Sequence, residues 1–105
     1  MNDISAQEVK KAIDNKENYI LLDVRTPQEF SRGKIEGAIN VPVDDVPQKI
    51  ERVIPDKNAI IYVYCLSASR SPIAVEMMQE LGYKKAFNME HGLMAWRIYK
   101  YPMVA

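Results

Sequence analysis

Ala59-Ile60-Ile61-Tyr62-Val63-Tyr64, continuing through Cys65-Leu66-Ser67-Ala68-Ser69-Arg70 into Ser71-Pro72, is the stretch that decides the fold. Its first part is rich in β-branched and aromatic residues and is the strongest strand signal in the chain. The small and polar residues after Cys65 read as a tight loop. Ser71-Pro72 then supplies a helix N-cap and a first helical residue. Ile73, Ala74, Met77, Met78 and Leu81 recur at helical spacing, and Gly82 stands where a C-terminal glycine cap belongs. Strand, short loop and helix in direct succession form the repeating unit of an α/β domain.

The same alternation extends outward from this unit. Towards the N-terminus, Ser5-Ala6-Gln7-Glu8 is a capping box that opens a helix from about Ser5 to Asn15, with Val9, Ala12 and Ile13 on one face. Tyr19-Ile20-Leu21-Leu22-Asp23-Val24 is a nearly continuous apolar run, as suits a strand buried on both faces of a parallel sheet. Thr26-Pro27-Gln28-Glu29 is a second capping box, and Gly33 stops its helix. Ala38-Ile39-Asn40-Val41-Pro42 reads as a short strand. Asp44 or Asp45 is expected to cap a helix with Val46, Ile50, Val53 and Ile54 inward. Towards the C-terminus, Ala86-Phe87-Asn88-Met89 is a last short strand, and Leu93, Ala95, Trp96 and Tyr99 mark a final helix. The expectation is one domain over residues 1–105, with a mostly parallel sheet and right-handed crossovers. In such folds chemistry collects beyond the carboxyl ends of the strands, where Cys65 lies.

Composition narrows the function classes. Fourteen basic and fourteen acidic residues cancel, which removes the electrostatic case for nucleic acid or an anionic membrane surface. No apolar run approaches the roughly 20 residues that span a bilayer. The single cysteine makes neither an internal disulfide nor a multi-cysteine zinc site. Met1-Asn2-Asp3-Ile4-Ser5 lacks the regions of a signal peptide, and with a free thiol this points to the cytoplasm. Nothing in the residues calls for a metal or a cofactor.

Cys65 is the candidate nucleophile. A free thiol has a pKa near 8.5, so only about 3% is thiolate at pH 7. Three features favour the anion. The following helix presents a partly positive N-terminus. Successive amides in a tight turn converge into an anion-binding nest. Arg70 adds a fixed positive charge and up to five donors. A depression of one to two units corresponds to about 1.4–2.7 kcal/mol. The same nest suits a persulfide, whose outer sulfur is also anionic. A buried structural cysteine is the plainer alternative, but Ser67, Ser69, Arg70 and Ser71 are not core composition. The six methionines read as core filler, Trp96 as packing, and His91 as a cap or surface group.

Four segments in order resemble the rhodanese homology domain: Leu22-Asp23-Val24-Arg25-Thr26-Pro27-Gln28-Glu29-Phe30, Gly33 to Pro42, the Cys65 to Ser71 loop, and Gly92 to Trp96. The resemblance covers nearly the whole chain. It implies a rhodanese-like three-layer α/β fold with a mostly parallel five-stranded sheet flanked by helices. It also implies a Cys65 persulfide in a pocket lined by Leu66, Ser67, Ala68, Ser69 and Arg70. Arg70 would face the sulfur and bind an anionic donor. Asp23, Arg25 and Glu29 would form a structural charge cluster. The implied donors are thiosulfate and other small sulfane-sulfur compounds, and the implied acceptors are thiols, cyanide or a partner protein. Cys65 and Arg70 enclose a six-residue loop, one shorter than in the related phosphatases; a single sulfur fits it and a phosphate does not. The sequence departs from the family at Ala68, where glycine is frequent, at Lys34 and Glu36, and at His91, which replaces one member of a glycine pair. An active sulfurtransferase is the first reading. A non-catalytic rhodanese module for partner binding, sulfur carriage or sensing is the second.

Overall fold

The computed structural model describes residues 2–105. In chain order the elements are β1 (Asp3–Ile4), α1 (Ala6–Asp14), β2 (Ile20–Asp23), α2 (Pro27–Arg32), β3 (Ile39–Asn40), a 3₁₀ turn (Val43–Asp45), α3 (Val46–Val53), β4 (Ile61–Tyr64), α4 (Ser71–Glu80), β5 (Ala86–Met89) and α5 (Gly92–Ile98). The five strands form one parallel sheet in the order β1-β5-β4-β2-β3. The α/β class and the five-stranded parallel sheet agree with the sequence reading. The two-residue strand β1 was not anticipated, because a segment that short has no periodicity to read. It exists through its pairing with β5, Asp3 opposite Asn88.

Side-chain alternation along β4 splits the core into two layers. Ile61, Val63 and then Cys65 pack with Val46 and Ile50 of α3 and Ala74, Val75 and Met78 of α4. Tyr62 and Tyr64 face the other way, onto Ala6, Val9 and Ala12 of α1 and Leu93 and Trp96 of α5. All four residues of β4 are buried, as its apolar run requires. Trp96 is core, as read. Of the methionines, Met78 and Met89 are core, whereas Met94 is 53% exposed.

Both capping boxes form: Ser5 with Glu8, and Thr26 with Glu29. Two other helix starts differ from expectation. A 3₁₀ turn leads into α3, and Asp45 at its N-cap makes no side-chain bond there. In α4 the inward stripe is Ser71, Ala74, Val75 and Met78, one turn-phase away from Ile73, which is 55% exposed. That stripe has the i, i+3, i+4, i+7 spacing, and it makes Ser71 a buried first-turn residue rather than the N-cap, which is Arg70. Gly82 ends the helix at φ +101°, a conformation that favours glycine.

Candidate active site

Cys65 follows β4 at the carboxyl end of the central strand and is fully buried. Its Sγ accepts hydrogen bonds from the backbone amides of Arg70 and Ser71, both at 3.4 Å, and lies 3.4 Å from Ser71 Oγ. Those amides belong to the N-cap and first residue of α4. They are among the donors that a helix start leaves without an internal partner, and they carry the positive end of its dipole. Burial pushes the Cys65 thiol up. The Ser71 hydroxyl and the amides of Ser71, Arg70 and Ser67 outweigh it, so the thiol lies below its ordinary value.

A second helix holds the loop from outside. The amides of Leu93 and Met94, at the start of α5, each donate at 3.0 Å to the carbonyls of Cys65 and Leu66. This close approach needs Gly92: a Cβ there would sit 2.5 Å from the Cys65 carbonyl oxygen and 2.6 Å from that of Leu66. The preceding His91 is exposed, sits at the N-cap of α5 with φ +61° and makes no side-chain cap bond.

The loop residues divide by environment. Leu66 is half-buried against the α1/α5 layer. Ser67 and Ser69 are exposed, and Ala68 is half-buried. Ala68 has φ +67°, the left-handed conformation that makes glycine the easier residue at this point. Arg70 is half-buried, and its guanidinium is fork-bonded to Glu29, Nη1 to Oε1 at 2.7 Å and Nη2 to Oε2 at 3.0 Å. Its pairing with Arg70 holds the Glu29 carboxyl down at about 2. Glu29 Oε1 also accepts from the Thr26 amide at 3.0 Å, so one carboxylate caps α2 and anchors Arg70.

The expected charge cluster therefore splits in two. Asp23 and Arg25 form a buried pair, with Arg25 Nε 3.0 Å from both Asp23 oxygens and Nη2 2.7 Å from Oδ2. Arg25 Nη2 also donates to the Gly33 carbonyl at 2.6 Å. Glu29 leaves this group and joins the cysteine loop. Tyr64, directly before Cys65, has its phenol pushed far up by burial and stays neutral. Three residues around the sulfur escaped the sequence reading. In the sequence Glu29 groups with Asp23 and Arg25, and Ser71 before Pro72 reads as a helix cap. Asn88, which accepts from Ser71 Oγ at 2.6 Å, carried no signal beyond being a polar residue inside a buried strand. Among the described residues no cluster of three or more His, Cys, Asp or Glu side chains is arranged to hold a metal, and no helix is long and apolar enough to cross a membrane.

The chain matches the family model described as Rhodanese-like domain over residues 5–99. It is 30% identical to a sulfurtransferase from Allochromatium vinosum over 105 residues, covering 100% of this chain and 96% of that one. It is 37% identical to the thiosulfate sulfurtransferase PspE of Escherichia coli over 67 residues, 64% of each chain. Among solved structures, a rhodanese-related protein from Thermoplasma volcanium superposes with a TM-score of 0.88 at 30% identity, covering 99% of this chain and 98% of that one.

Proposed function

This chain belongs to the family of rhodanese-like domains, and on that premise we propose that residues 1–105 act as one cytoplasmic sulfurtransferase domain with Cys65 as the sulfur carrier. The Cys65 thiolate attacks the outer sulfur of a small sulfane donor such as thiosulfate. The donor S–S bond breaks, and sulfite leaves with its electron pair. The new persulfide holds its negative charge on the outer sulfur, within reach of the loop amides from Leu66 to Arg70. A thiolate, cyanide or a protein acceptor then attacks that outer sulfur, and the Cys65 thiolate leaves. Splitting transfer into two displacements is the usual gain of covalent catalysis.

The observation that carries this reading is the pair of backbone amides, of Arg70 and Ser71, that donate to Sγ, because amide donors aimed at a sulfur favour its anion. Cys65 is fully buried, so this reading includes an outward movement of the loop around Ser67 and Ser69, which are exposed, to admit a donor. A second reading, a module that carries or senses sulfur without turnover, draws support from Arg70. Its guanidinium is already engaged by Glu29 and meets an anionic donor only by sharing or releasing that partner.

Intact mass after incubation with thiosulfate tests the proposal. The reduced protein should gain one sulfur, cyanide should remove it, and Cys65→Ser should never acquire it. No gain with any sulfane donor would sink both readings. A gain with no turnover to cyanide or thiols would leave only the second.

A further inference from the structure

Ser71 Oγ stands between two groups that compete for its single proton. It lies 2.6 Å from Asn88 Oδ1 and 3.4 Å from Cys65 Sγ. A hydroxyl has one hydrogen, and the shorter contact takes it. In this arrangement the oxygen lone pair, not the proton, faces the sulfur, and Ser71 accepts from the Cys65 thiol. The orientation of the Asn88 amide decides the matter, because turned over it would present Nδ2 to Ser71 and release the hydroxyl proton. Asp3 prevents that turn. Asn88 Nδ2 donates to Asp3 Oδ1 at 3.2 Å, and a turned amide would set its oxygen against a carboxylate oxygen. Parallel pairing of β1 with β5 puts Asp3 opposite Asn88 in register.

We propose that Asp3 and Asn88 are positioning residues that fix the direction of the Ser71 hydroxyl and so govern the reactivity of Cys65 from the far edge of the sheet. The chain runs Asp3, Asn88, Ser71, Cys65. It gives the neutral thiol an acceptor, and the thiolate, held by the amides of Arg70 and Ser71, gains the hydroxyl as a further donor only when that hydroxyl leaves Asn88. Asp3 is exposed and shares a hollow with Ala68, Pro72, Asn88, Glu90 and His91. The other charged groups near the loop are the Arg70–Glu29 pair and, at the end of β2, Asp23 with Arg25.

The inference rests on Cys65 being the reactive sulfur of the proposed reaction, but its test reads the thiol directly. The rate of iodoacetamide alkylation is followed against pH in the full chain. Asp3→Ala removes the acceptor that holds the Asn88 amide, so the midpoint should fall by about one pH unit, the size of one hydrogen bond to a charged group. Asp3→Asn removes the charge but keeps an oxygen acceptor, and its midpoint should stay near that of the natural protein. In a Ser71→Ala background, Asp3→Ala should shift nothing. Equal shifts for Asp3→Ala and Asp3→Asn would mean that the carboxylate acts through space and would overturn the relay. So would an undiminished shift without Ser71, or no shift at all. Asp3 lies at the exposed sheet edge, so these variants spare the core. A failed sulfur-loading assay would leave the midpoints unaffected, and unshifted midpoints would leave loading unaffected, so the two proposals fail separately.

Discussion

Two carboxylate–arginine pairs of nearly the same chemistry lie close to the cysteine loop, and they do different work because they sit in different solvents. Asp23 and Arg25 are two residues apart and almost fully buried, with side-chain exposures of 0% and 3%. Asn40 Nδ2 closes the same turn by donating to the carbonyls of Asp23 and Arg25. Glu29 and Arg70 are separated by 41 residues, and their side chains keep 28% and 29% exposure. The first pair holds one turn at the end of β2. The second joins α2 to the loop that carries the sulfur. A buried pair is costly to break, because the surviving charge has no water to receive it. A rim pair is cheap to break, because its members rehydrate. A rim pair of this kind suits the loop opening proposed for sulfur loading.

The largest expected effect comes from breaking the buried pair. Arg25→Ala leaves the Asp23 carboxylate buried without its charge partner, held by the residue 25 amide and the Tyr64 phenol. Urea unfolding should show a loss of about 3 kcal/mol or more. That is a large share of the 5–15 kcal/mol typical of a domain. A loss below about 1 kcal/mol would show that water reaches Asp23 and that the two pairs are alike after all.

The rim pair should answer differently. Glu29→Gln is expected to cost no more than about 1 kcal/mol at pH 7, given its exposure. The sign with pH follows from the carboxyl lying at about 2 instead of the ordinary 4.5. A depressed carboxyl stabilises the fold above its unfolded value and loses that contribution as pH falls towards its folded value. The stability gap between the natural protein and Glu29→Gln should therefore be constant above about pH 5 and should close between about pH 4.5 and 2. Freed from its partner, Arg70 should also bind thiosulfate more readily, seen as sulfur loading at several-fold lower donor concentration. Weaker loading would show that Glu29 is needed to aim Arg70, and that the rim pair, like the buried one, is structural.

The comparison also explains what the sequence revealed. Asp23, Arg25 and Glu29 lie within seven consecutive residues, and the family resemblance groups them as one cluster. The Glu29–Arg70 bond depends on how α2 and the loop meet across the sheet ends, and no local pattern encodes it. Cys65 and its loop were legible because β4, the loop and α4 are consecutive, and the chemistry of a nest is local. Ser71 was misread for the opposite reason. Serine before proline is a strong local cap signal, but burial of Ala74, Val75 and Met78 set the phase of α4 and turned Ser71 inward. The outer strand β1 and Asn88's link to Asp3 arise from long-range pairing alone.

Ala68 gives the smallest test and the finest one. It lies in the same loop as Arg70, and its φ of +67° costs an alanine about 1 kcal/mol relative to an unstrained conformation. Glycine would remove that strain but give back part of it as entropy of the unfolded chain. Ala68→Gly should thus stabilise by about 0.5 kcal/mol in urea unfolding, well below the effect at Arg25. The more telling readout is kinetic. If the loop must swing outward to admit a donor, glycine should widen its range and raise the rate of sulfur loading, while the alkylation midpoint stays set by the amides of Arg70 and Ser71. A midpoint that moves with Ala68→Gly would mean that the nest itself depends on this residue's conformation, and the rim could then no longer be treated as separable from the sulfur it covers.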